Sequence, residues 1–210
     1  MPDTAIHLAK GAHHDDGTGD CDRCFIEWYN WLTRRQQTDD RPPGVSPVLH
    51  RFSMQLNDML PEDTRQELAR FLPNGADRLA GTESDGKDET RGYLALDWLV
   101  RTYLPAWLDL AGLADETAAV RDLAPVADTE TIAAAGLVVR AVRDKAAAAG
   151  DAAGAAVWAA AGADAWAAAG DAARAAAGAA AGDAARAKLA PVVIRLQASA
   201  IDLFERMLDA

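Results

Sequence analysis

Nine side chains able to ligate a metal ion fall within fifteen residues: His13, His14, Asp15, Asp16, Asp20, Cys21, Asp22, Cys24 and Glu27. Three kinds of chemistry suit such a cluster. In the first, Cys21-x-x-Cys24 and one of the histidines bind zinc, because this spacing lets two thiolates share one tetrahedral site. The fourth ligand then comes from Asp15, Glu27 or beyond. A catalytic version is a metal-assisted hydrolase with Glu27 as general base. The candidate metal residues of this cluster are His13, Cys21, Cys24 and Glu27.

The second chemistry is calcium binding by a twelve-residue loop from Asp16 to Glu27. Asp16, Thr18, Asp20 and Glu27 occupy positions 1, 3, 5 and 12 of the ligand pattern. Cys21 stands where that loop needs its sharp-turn glycine, and Arg23 stands at the apolar eighth position, so calcium fits less well than zinc. The third is a thiol redox pair, which needs a stabilised thiolate. Asp20 and Asp22 flank Cys21 and push the other way. The plainest alternative is a solvated acidic loop whose aspartates cap the helix that follows. His7 and His50 stand alone, and Ser46 lacks the setting of a nucleophile elbow. No phosphate-binding glycine loop occurs.

The elements that must position this cluster are helical. Phe25, Trp28, Tyr29, Trp31 and Leu32 recur at helical spacing from Cys24 to about Arg35. A Pro/Gly loop follows, and Ser46-Pro47 then supplies an N-cap and a proline at the first helical position. That helix carries Val48, Leu49, Phe52, Leu56 and Leu60, and Pro61 opens another that ends at Pro73-Asn-Gly75. Residues 81–90 read as a polar loop. Tyr93, Leu96, Leu99, Val100, Tyr103 and Leu104 form a broad apolar face before Pro105, with Asp97 and Arg101 spaced to pair. A short helix closed by Gly112 comes next, then helix from about Thr117 to Leu123 and from about Thr129 onward, restarting at Pro191. Sustained Val/Ile/Thr alternation is absent, so the expected class is all-α: a compact multi-helix domain with an appended Ala/Gly-rich hairpin or long helix. The expected division is a helical core domain over 1–125 and an Ala-rich region with a docking helix over 126–210.

Between Gly150 and Arg186 the Gly, Trp and Arg residues keep a four-residue register in an alanine background. A four-residue step drifts about 40° on a helix, so the column wraps the cylinder instead of forming one stripe. Ile194, Ile201, Phe204 and Leu208 lie near heptad spacing and suit either docking onto the core or a homodimer seam.

The 210 residues include 32 acidic and 21 basic ones, a formal charge of −11. This balance argues against direct binding of a phosphate backbone and suits a basic protein partner. The first residues lack the basic start and apolar run of a signal peptide, and no stretch is apolar enough to span a bilayer. The expectation is a cytoplasmic protein that does not associate with membranes.

Several motifs in order, Lys10-Gly-Ala-His13, Cys24-Phe-Ile-Glu27, Asp40-Arg-Pro42, Ser46-Pro-Val48, Asn57-Asp58, Gly81-Thr82, Asp97-Trp-Leu-Val-Arg101 and Pro105 to Gly112, resemble a family of uncharacterised proteins from actinobacteria and their phages. The resemblance covers residues 6–113 and, more loosely, an Ala-rich tail. It implies kinship without an activity, draws weight to His13, Cys24, Glu27 and Asp40, and so adds Asp40 to the candidate metal set, with His13, Cys24 and Asp40 as the ligands of the hydrolase version. The second cysteine of that family falls on Gly44 here, so Cys21 is the substitute thiol if a pair is used. Three functions follow as expectations: a non-enzymatic accessory protein binding through an acidic helical surface, a zinc-type hydrolase built on the N-terminal cluster, or an acidic nucleic-acid mimic that occupies a host factor.

Overall fold

A computed structural model describes residues 6–13, 22–73, 77–148 and 183–210. The fold is all-α, and among the described residues the only extended pairing is an isolated parallel bridge between Leu8 and Arg23. The chain divides into two compact units, Met1–Arg91 with Ala200–Ala210, and Gly92–Ser199.

Unit 1 begins with α1, Phe25–Arg34, which ends where Arg35 turns left-handed at φ 58°. Helix α2, Pro47–Met59, starts as its sequence dictates: the Ser46 hydroxyl accepts from the amides of Val48 and Leu49, and Pro47 follows. Helix α3, Glu62–Arg65, runs on as a 3-10 segment, Gln66–Phe71. Helix α4, Asp88–Trp98, begins inside the stretch read as loop, because Asp88 pairs with Arg91 three residues on. The final helix, α8, spans Asp183–Asp209, and its part from Ala200 completes unit 1.

Phe204 is the hub of that unit's core. Its ring meets Phe25 edge-on at 5.8 Å, stacks with Phe52 at 5.9 Å and meets Phe71 edge-on at 5.1 Å. Ile201 and Leu208 are buried beside it, whereas Ile194 is 65% exposed, so the heptad-like spacing docks only its C-terminal part. Arg91, itself buried, donates from Nε to the Met207 carbonyl at 3.0 Å and pairs with Asp85 and Asp88. The cation thereby sits at the negative end of α8.

In unit 2, α4 passes through a π-helical turn, Leu99–Tyr103, into α5, Leu104–Leu110. Pro105 therefore does not stop the helix. It falls in the first turn after the π-helical turn, where the amide proton it lacks is least needed. Gly112 closes α5 at φ 75°. Helices α6, Ala114–Arg121, and α7, Thr129–Ala148, complete the described part before α8. Val100, Leu104, Leu108, Val120, Val126, Ala135 and Val142 form the core. Asp97 pairs with Arg101 at 3.3 Å and also accepts from the Val126 amide at 2.9 Å. Helix α8 runs through Pro191 without restarting there. Among the described residues no helix is long and apolar enough to cross a membrane. The tetrad register from Gly150 to Gly182, like Cys21, lies outside the described residues.

Candidate functional site

Glu27 occupies the third position of α1 and is 1% exposed. A carboxylate so placed must be paired or hydrogen-bonded, and Glu27 is bonded at both oxygens. Oε2 accepts from the Cys24 amide at 2.7 Å, which caps the helix start. Oε1 accepts from the His13 amide at 2.6 Å, and the His13 ring Nδ1 lies 2.9 Å from Oε2. The α1 N-terminus adds a favourable dipole for this charge.

His13 is the end of an extended strap, residues 6–13, held almost entirely by side chains of the helices. The Gln66 carboxamide brackets Leu8, accepting from its amide at 2.8 Å and donating to its carbonyl at 3.0 Å. Asn57 Nδ2 donates to the Ala9 carbonyl at 2.9 Å, and Asp58 accepts from the Gly11 amide at 2.9 Å. The Trp28 indole donates to the His7 carbonyl at 2.6 Å. Beneath the strap, Arg65 donates to the carbonyls of Asn57 and Leu60 at 2.8 Å each, covering the C-terminal end of α2. A backbone bond also ties the strap, from the Ala9 amide to the Arg23 carbonyl at 2.8 Å. Arg23 lies 5.0 Å from the Trp28 ring centre and 4.4 Å from that of Trp31.

The sequence-derived ligand set is brought together in part. His13 and Glu27 touch, and Cys24 meets Glu27 through its amide. Asp40 belongs elsewhere: it is exposed, and its carboxylate accepts from the Thr38 hydroxyl at 2.8 Å. Among the described residues no three His, Cys, Asp or Glu side chains converge to hold an ion. Burial, with the adjacent Glu27 charge, pushes the Cys24 thiol up to about 12, so it is a neutral, inert group at physiological pH.

Three of the motifs singled out in the sequence therefore meet at one place. Gly11 and His13, Cys24 and Glu27, and Asn57 and Asp58 all serve the strap. Arg65 and Gln66 were missed as functional residues, although Asn57 had a readable signal. It falls four residues after Ser53 on the apolar side of α2, and both are buried. Chemically, the arrangement grips a main chain through donors and acceptors of matched sign. Among the described residues of this arrangement, the Cys24 thiol is neutral and both Glu27 oxygens are bonded to N–H groups. No protein-family model, curated protein or solved structure matches the chain.

Proposed function

We propose that this is a non-enzymatic binding protein that engages a basic protein partner through the acidic surface of unit 1. One observation carries the reading. The buried charged side chains among the described residues are three arginines, Arg23, Arg65 and Arg91, and one glutamate, Glu27. Each arginine is turned inward, Arg65 and Arg91 to main-chain carbonyls and Arg23 to the tryptophans. Arg65 and Arg91 also pair with Glu62, Asp85 and Asp88, and an acidic excess remains: unit 1 holds 20 acidic and 12 basic residues, a formal charge of −8. A potential of this kind steers and holds cationic partners. The commitment of both Glu27 oxygens to N–H groups weighs against the hydrolase reading, which needs that carboxylate as a base.

The probe is a fluorescein-labelled decalysine peptide, titrated with the full chain and followed by anisotropy. Binding is expected at about 50 mM salt and loss of most of it at about 300 mM, where the screening length is short. Asp63→Lys combined with Asp202→Lys, both at exposed positions, should weaken it severalfold. No binding at low salt, or binding indifferent to both salt and charge reversal, overturns the reading.

A further inference from the structure

We propose that the outer face of α7 is the seam of a homodimer, in which it packs antiparallel against α7 of a second copy of this chain across a two-fold axis. The inference goes beyond the acidic-surface reading and does not depend on it.

Helix α7 carries no charged residue from Thr131 to Val139. One side of that run is accounted for, since Ala135 is buried and Ile132, Val138 and Val139 pack against the core of unit 2. The opposite side is equally apolar but faces solvent. Ala133, Ala134, Leu137 and Ala141 are exposed, Leu137 at 65%. At about 100° per residue these four lie within about 100° of one another, turned away from Ala135 and Val142. A surface helix ordinarily shows its polar face to water. A leucine set among alanines there has the make-up of a contact surface. The C-terminal helix suits a seam less well, because Ile201 and Leu208 are spent on the core of unit 1.

Two charges bound the face and select its occupant. Glu130 and Arg140 are both exposed and stand about 15 Å apart along the helix axis. The Arg140 guanidinium lies back beside Gly136, 3.5 Å from where a Cβ would stand. In an antiparallel pair whose two-fold axis passes near the level of Ala135, Glu130 faces Arg140 of the partner subunit. Leu137 then meets Ala133 of the partner subunit, a large side chain against a small one. Symmetry makes both contacts twice. Parallel packing would set like charge on like charge. Elsewhere the chain's charge of −11 repels a second copy, whereas on this face charges are opposite or absent. The seam spans about three turns and so buries less than about 1,200 Å², the range of weak, reversible association.

The experiment is sedimentation equilibrium of the full chain from about 5 to about 500 µM, the range in which so small an interface associates. The weight-average mass should rise from that of one chain toward that of two. Leu137→Glu should abolish the rise and leave the thermal melt nearly unchanged, because the position is exposed. Glu130→Arg alone and Arg140→Glu alone should each weaken association severalfold, since like charges then face each other. An equimolar mixture of those two variants should associate as the unaltered chain does, and so should the variant carrying both changes. A chain that stays monomeric throughout overturns the proposal. So does association that survives Leu137→Glu, that ignores the single reversals, or that the double variant fails to restore.

Discussion

The two units are built by opposite means. Nine of the ten buried polar or charged side chains among the described residues belong to unit 1, and Thr117 is their counterpart in unit 2. Unit 1 is stitched: Arg91 to the Met207 carbonyl, Arg65 to the end of α2, Glu27 to two amides. Unit 2 is filled, with valine, leucine and alanine in contact, and its one buried polar side chain among the described residues, Thr117, bonds locally back to Leu113. A stitched interior fixes one geometry, since every buried polar group needs its own partner at its own distance. A filled interior tolerates exchange as long as volume is kept. Unit 1, with its gripped strap, is thus the unit whose interior admits one geometry.

The sharpest way to break this contrast is Arg91→Met, which keeps length and apolar stem but removes the guanidinium. It strips donors from the carbonyls of Met207 and Thr82 and leaves Asp85 and Asp88 without their cation. A loss of about 3–5 kcal/mol is expected in urea unfolding, the range for breaking a buried ion pair. The variant also tests a pH effect. Hydrogen bonding to Arg91 holds the Asp85 carboxyl below its ordinary value. A depressed carboxylate stabilises the folded state above about pH 4 and loses that contribution as pH falls through its folded value. The unaltered chain should show this acid component, and Arg91→Met should lack it.

Next in size is Glu27→Gln, a change of almost no volume. The new amide must turn a donor toward either the Cys24 or the His13 amide, a donor facing a donor. The expected cost is about 1–3 kcal/mol, with faster hydrogen exchange at His13. The smallest effect is expected for Leu104→Met in unit 2, below about 1.5 kcal/mol, because that core asks only for apolar volume. If Leu104→Met costs as much as Glu27→Gln, the contrast between the units fails.

What the sequence made legible follows the same division. The Ser46-Pro47 helix start, the Asp97–Arg101 pair and the Gly112 stop are written in neighbouring residues, and each stands as read. The strap was not legible, since Gln66 finds Leu8 from 58 residues away and nothing local marks either as a partner. Arg91 is harder still: its carbonyl lies 116 residues on, and an isolated arginine reads as a surface group. The all-α class needed only helical spacing. The candidate site was half visible, as His13, Cys24 and Glu27 drew notice as ligands while their bonds are those of a clamp. Pro105 misled for a local reason, because a π-helical turn ahead of it removes the clash that ends ordinary helices.

Phe204, the hub of the aromatic core, also bears on the order of synthesis. The ribosome makes Phe25, Phe52 and Phe71 long before it makes their partner, and all of residues 92–199 come in between. Until residue 204 emerges, the nascent first segment has no filling for its aromatic centre and no Met207 carbonyl for Arg91. Unit 2 is complete in sequence by then. Vectorial translation therefore favours the inner unit folding first and the outer one closing last, with an interval in which exposed rings invite chaperone capture or aggregation.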